Sequence, residues 1–246
     1  MSDLPRFFCP CPLAAGSRME LPESAARHAV KARRLKTGST LTLFNGQGGE
    51  YAGKIVCIES ARITVDVEEK RDIERESPLA ITLIQALQSG EKMDMTIQKA
   101  VELGVSRVVP VASRRSVQRL DGDRARRRLE HWRGVALSAC EQCGRNRLPE
   151  IEAPLDLIGC LRTLSPNSET GARWILHPDG SALSLAGRPA GNIELLIGAE
   201  GGFDPEEIRL AQSKGFVSIR LGPRILRTET AGMAAVAAIQ LLWGDF

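Results

Sequence analysis

Residues Asn192–Gly222 read NIELLIGAEGGFDPEEIRLAQSKGFVSIRLG. Asn192–Gly198 is a short apolar run closed by glycine, the pattern of a buried strand. Asp204-Pro205-Glu206-Glu207 then opens a helix. Asp204 stands as N-cap, Pro205 takes the first helical position where its missing N–H is harmless, and Glu207 completes a capping box. Phe216–Gly222 is a second apolar strand. A strand, a capped helix and another strand in direct succession form the repeating unit of a parallel sheet.

The same alternation runs through the preceding sequence. LAITLIQAL (79–87) and RVVPV (107–111) are strand candidates, and EKMDMTIQKAVELG between them is a helix ended by Gly104. Asp121–Cys143 reads as a long helix, and ARWIL (172–176) as a further strand. The expected class is therefore α/β with a doubly wound parallel sheet. The N-terminal part is different. Thr40–Val67 alternates near period two with glycine punctuation, as in a small β-barrel or sheet, and a short helix with Pro22 in its first turn precedes it. Glu69–Pro78 is charged, lacks an apolar stripe and reads as the linker. The expected domains are 1–72 and 73–246.

Ligands of such sheets bind beyond the carboxyl ends of the strands. Three ends are equipped for it: Trp174–Leu176 running into His177-Pro178-Asp179-Gly180, Leu195–Ile197 into Gly198-Ala199-Glu200-Gly201-Gly202, and Ile219–Leu221 into Gly222-Pro223-Arg224. GAEGG is neither a Walker loop nor GxGxxG, and a tight turn before the Asp204 cap explains it as well as a ligand loop does. No GxSxG, HExxH or EF-hand pattern occurs. The final stretch, LGPRILRTETAGMAAVAAIQLLWGDF, gathers Arg224, Arg227 and Glu229 at the mouth of an apolar helix over Glu229–Trp243, with Thr228 where an N-cap belongs.

The 246 residues are 43% hydrophobic and 26% charged, ordinary for a packed protein, with a net charge of only +3. The N-terminus lacks a signal pattern and no apolar run reaches membrane-spanning length, so a cytoplasmic, reducing setting is expected. CxC at Cys9 and Cys11 and CxxC at Cys140 and Cys143 lie too far apart for a zinc ribbon. The CxxC also ends a helix rather than starting one, as a thioredoxin-like motif would. With three histidines, a His-based metal site is not expected. Basic residues form two patches. Arg27, Lys31 and Arg34 share one helical face, extended by Arg33 and Lys36, beside the β-module, which favours RNA phosphate contact. Arg114, Arg115, Arg119, Arg124, Arg126, Arg127 and Arg128 form the second, which a solvated face also explains. Aromatic residues are 4%, too few for a base-stacking platform.

IGAEGGFDPEEI followed by LGPRILRTETAGMAA resembles the C-terminal signature of the 16S ribosomal RNA uridine-N3 methyltransferases, S-adenosylmethionine-dependent enzymes of the SPOUT superfamily. ACEQCGRNRLPEI (139–151) is similar to a further family stretch, and RHAVKARRLKTGSTLTLFNGQGGEYAGKI to its PUA-like RNA-binding domain. Ala199 departs from the commoner GPEGG, a change that leaves the glycines in place. The resemblance implies a C-terminal SPOUT domain with a trefoil knot, a small PUA-like β-barrel domain, a homodimer with the active site near the subunit interface, and 16S rRNA of the small ribosomal subunit as partner. It implies S-adenosylmethionine held by Leu176 and His177, by Gly198, Ala199, Glu200, Gly201 and Gly202, and by Leu221, Gly222, Ile225 and Leu226, with no metal. Arg227-Thr228-Glu229-Thr230 replaces the Ser-Asn pattern of ribose methyltransferases, favouring base methylation. Uridine N3 must lose its proton, so Arg224 or Arg227 would stabilise the uracil oxygens or hold a phosphate. Glu229 would receive the proton or orient an arginine, with Glu200 the other candidate.

Overall fold

A computed structural model describes residues 4–31, 33–60, 62–116, 118, 120–164 and 171–246. The chain forms two compact units. The first runs up to Glu76 and takes in Leu137–Leu148; the second holds Ser77–Ala136 and Pro149–Phe246.

The first unit is a five-stranded sheet of β1 (Arg6–Phe8), β2 (Arg18–Glu20), β3 (Thr40–Phe44), β4 (Glu50–Glu59) and β5 (Arg62–Arg71), in the order β1-β3-β4-β5-β2. The path is open, with no pairing of β1 to β2 among the described residues. Helix α1 (Glu23–Lys31) packs Ala25, Ala26 and Ala29 into the core with Phe7, Leu41, Leu43, Ile55, Ile63 and Val65. Pro22 precedes α1 and its carbonyl accepts from Ala26 N–H at 2.9 Å, so it caps the helix instead of sitting in its first turn. β5 extends through Arg71, so residues 69–71 belong to the sheet and the linker starts after them. Buried polar contacts tie the returning segment in. Arg6 donates to Glu50 at 2.6 Å and to Asn146 at 2.5 Å, Asn146 donates to the Ile73 carbonyl at 2.7 Å, and Arg145 Nε meets Glu76 at 3.1 Å.

The second unit has a seven-stranded sheet in which every pairing is parallel. Its strands are β6 (Ile81–Ala86), β7 (Arg107–Ala112), β8 (Glu150–Ile151), β9 (Leu155–Asp156), β10 (Ala172–Ala182), β11 (Ile193–Ile197) and β12 (Val217–Arg220). The order is β12-β10-β11-β6-β7-β8, with β9 also on β7. Helices α4 (Leu157–Thr163) and α5 (Pro205–Ser213) cover one face over Ile84, Val109, Ile175 and Leu196. α2 (Glu91–Glu102) and α6 (Thr228–Trp243) pack together, and Gly232 of α6 sits over Leu83 and Ile197 on the other face. Burial on both faces is why these strands read as continuous apolar runs. α3 (Gly122–Cys143) starts in this unit and ends in the first. The short β1, β2, β8, β9 and α4 have no counterpart in the sequence reading.

Candidate active site

The carboxyl ends of β10, β11 and β12 open onto a cavity of about 620 Å³. This is within the usual size of a small-molecule site. Its walls are three loops. The first is a bulge within β10: after Leu176, residues 177–180 loop out before Ser181 returns to the same partner, Ile219 of β12. Gly180 makes the return possible, since a Cβ there would lie 2.6 Å from the Ile219 and Ser218 backbone. His177 Nδ1 accepts from Asp179 N–H at 3.3 Å, the strand-end hydrogen bond its position suggests.

The second loop follows β11. Gly202 (φ +69°) closes a tight turn by donating to the Ala199 carbonyl at 2.8 Å. A Cβ on Gly198 would meet the Phe203 ring at 3.1 Å, and one on Gly201 would meet Arg115 Cβ at 3.2 Å. Arg115 Nη1 also donates to the Gly201 carbonyl at 2.9 Å. The capping box holds the far end: Asp204 accepts from Glu206 N–H and Glu207 accepts from Asp204 N–H, both at 2.9 Å. The Glu206 N–H, with Arg114 and Arg115 nearby, holds the Asp204 carboxyl below its ordinary value.

The third loop leads from β12 into α6. Arg227, not Thr228, is the N-cap residue, and no side chain of its own caps the helix. Thr228 is the first helical residue. Its hydroxyl donates to the Gly198 carbonyl and accepts from Gln85 Nε2 at 3.1 Å, joining α6 to β6 and the second loop.

All eleven residues nominated for the cofactor line this one cavity: Leu176, His177, Gly198 to Gly202, Leu221, Gly222, Ile225 and Leu226. Arg224 and Arg227 line it too, both exposed and neither in an ion pair among the described residues. Glu229 is elsewhere. It is 8% exposed and absent from the cavity wall, and it faces Lys92 Nζ at 3.6 Å rather than Arg227. Lys92 lines the cavity and lies 3.2 Å from Glu200 Oε1. Lys92 belongs to no motif in the sequence, although the strand-end rule applied to β6 points to the start of α2.

The basic patches come apart. Arg27 pairs with Glu23 at 2.5 Å; α1 ends at Lys31, so Arg33 and Arg34 lie beyond it and Arg34 takes φ +51°. The continuous face through Arg34 therefore does not form. In the second patch Arg114 pairs with Asp204 and Glu206, Arg115 holds the glycine loop, and Arg126 pairs with Asp123. Arg119 lies outside the described residues. Burial pushes the Cys140 and Cys9 thiols up to about 12, which suits structural rather than redox-active cysteines. No acidic, His or Cys cluster suited to a metal occurs among the described residues, and no helix there is long and apolar enough to cross a membrane.

Residues 75–240 match the RNA methyltransferase domain family and residues 21–68 the RNA methyltransferase PUA domain family. A ribosomal RNA small subunit methyltransferase E of Buchnera aphidicola is 32% identical over 99% of this chain and 95% of its own. The chain belongs to the ribosomal RNA small subunit methyltransferase E family. The Bacillus subtilis member of that family is 30% identical over 89% of both chains. A Neisseria gonorrhoeae member crystallised with S-adenosylmethionine superposes with a TM-score of 0.93 at 39% identity, covering 99% of each chain. The glycine cradle fits such a ligand on this chain's own geometry. The backbone of Gly198–Gly202, a turn that packing against Phe203 and Arg115 keeps tight, with Ile197, Leu176 and Leu226 as apolar wall, suits an adenosine held through backbone groups.

Proposed function

We propose that this methyltransferase E family member methylates N3 of a uridine in 16S rRNA of the small ribosomal subunit, using S-adenosylmethionine. The observation that carries the reading is convergence: three loops from three parallel strands share one cavity, with Arg224 and Arg227, in no ion pair among the described residues, at its edge. Bound S-adenosylmethionine supplies a methyl group already activated on a sulfonium. The chain's work is to hold the adenosine by its glycine loops, align the uracil and manage the N3 proton. Arg224 and Arg227 donate to the uracil oxygens, where negative charge gathers as N3 loses its proton. Glu200, on the cavity wall, receives that proton, and Glu229 is buried off the wall.

Arg27, Lys31, Arg33 and Arg34 contact RNA phosphates from the first unit, and the enzyme works in the cytoplasm as a homodimer with a trefoil-knotted second unit. A dimer is supported by Ile225, a cavity residue left 86% exposed, and by the apolar outer face of α6. The test is methylation of small-subunit particles and free 16S rRNA with methyl-labelled donor, followed by mass mapping. The expected product is one N3-methyluridine. Arg227→Ala should abolish transfer with an unchanged circular dichroism spectrum; a ribose-methylated product or full activity in that variant contradicts the proposal.

A further inference from the structure

Both nominated proton acceptors touch the same cation. Lys92 is the second residue of α2, and its Nζ lies 3.2 Å from Glu200 Oε1 and 3.6 Å from Glu229 Oε1. The two acids differ in how they are held. Glu200 is part of the cavity wall, in a loop of glycine and alanine whose own side chains cannot restrain it. Glu229 sits in the first turn of α6, buried and off the wall. Its N–H reaches the Gln88 amide oxygen at 3.2 Å in the amide orientation that also lets Gln88 donate to Thr96. Its second oxygen, Oε2, is buried without a hydrogen-bond partner among the described residues. Such a carboxylate is costly unless a cation stays beside it. Lys92 is therefore gripped by a fixed acid and in turn grips the loop acid. Arg115, the other cation against this loop, donates to the Gly201 carbonyl instead.

We infer that Lys92 is a positioning residue of the methyl-transfer site: anchored by buried Glu229, it holds the Glu200 carboxylate at the cavity wall, where Glu200 takes the N3 proton. This rests on the reaction proposed above. The N3–H bond breaks, the proton moves to a Glu200 oxygen, and the electron pair stays on N3 for the incoming methyl group. Although Lys92 lines the cavity, in this assignment it acts on the Glu200 carboxylate rather than on RNA or cofactor, so its loss falls on the chemical step. Glu229 acts only through Lys92, so their effects do not add.

The test compares full-length wild type with Lys92→Met, Lys92→Arg, Glu229→Gln and the Lys92→Met/Glu229→Gln double variant. It measures kcat and KM on small-subunit particles, S-adenosylmethionine affinity by calorimetry and thermal melting. Lys92→Met should lower kcat roughly 100-fold, the scale of a misplaced catalytic group. KM and cofactor affinity should stay within about twofold. Lys92→Arg should recover most of the rate, and the double variant should match Lys92→Met. A higher KM or weaker cofactor binding with kcat retained would assign Lys92 to binding and overturn the inference. So would additive loss in the double variant, or a loss that tracks melting temperature and is not rescued by arginine. If wild type binds cofactor but methylates no uridine, the reaction reading itself fails before any variant is compared.

Discussion

At Gly198 an added methyl group would have to fit between the Phe203 ring, 3.1 Å from the Cβ position, and Gly202 Cα at 3.3 Å. The Gly198 carbonyl is also held by Thr228, so the loop has little freedom to yield. Gly198→Ala should weaken S-adenosylmethionine binding about tenfold, or about 1.4 kcal/mol by calorimetry. Gly134→Ala is the control: it meets nothing within 4 Å in α3 and should leave affinity unchanged. Glu50 offers a second test in the first unit. Burial opposes its ionisation, but hydrogen bonds from Arg6 and Arg75 outweigh that and hold the carboxyl below its ordinary 4.5. A depressed folded-state value means stability present above about 4.5 and lost as pH falls through the folded value. Glu50→Gln leaves a buried arginine without its carboxylate and should cost about 3 kcal/mol at pH 7. In urea titrations the gap to wild type should narrow as pH is lowered below 4.5. Glu141, which burial pushes up, titrates the opposite way but is common to both proteins and cancels in the difference.

Among elements, β10 has a geometry that depends on a single residue. It leaves β12 at Leu176 and rejoins it at Ser181, and the two strands close up over Gly180. Gly180→Ala places a Cβ 2.6 Å from backbone atoms that cannot rotate away. The strands must separate, at a cost of about 2 kcal/mol or more. A melting temperature about 4–8 °C lower is expected for a chain of this size, with weaker cofactor binding. What was legible in the sequence follows the same logic of locality. The Asp204 cap, the Gly104 stop and the apolar parallel strands are set by neighbours in sequence, and all appear where the pattern puts them. The eleven strand-end residues converge because parallel strands deliver their carboxyl ends to one edge. Long-range closure was illegible. Nothing local in HPDG announces that Ser181 returns to Ile219, and nothing in RNR announces that Asn146 and Arg145 bond back to Ile73 and Glu76. Lys92 and Gln85 belong to the same class: their partners are over a hundred residues away.

For the whole molecule, the unpartnered outer face of α6 is the decisive surface. Ala234, Ala237, Ala238 and Leu241 recur at helical spacing; the alanines are half-buried, while Leu241 is 70% and Leu242 46% exposed. Phe246 beyond the helix end is 59% exposed. A monomer rarely leaves such residues together in water, whereas small side chains flanked by leucines suit close helix contact. A stable homodimer needs roughly 800 Å² from each partner, which one helix face with its flanking loops can supply. The proposed dimer would have a functional consequence at the cavity, because Ile225 opens to solvent at its edge and a second copy would cover it. Leu241→Glu with Leu242→Glu places two charges on that face without touching the cavity lining. Sedimentation equilibrium should give twice the 26.7 kDa chain mass for wild type and the single-chain mass for the variant. Methyl transfer should fall at least tenfold while far-ultraviolet circular dichroism is kept, because the site loses its cover rather than its fold. A variant that is monomeric yet fully active would detach the dimer from the chemistry, and a wild-type chain that sediments as a monomer would remove the dimer altogether.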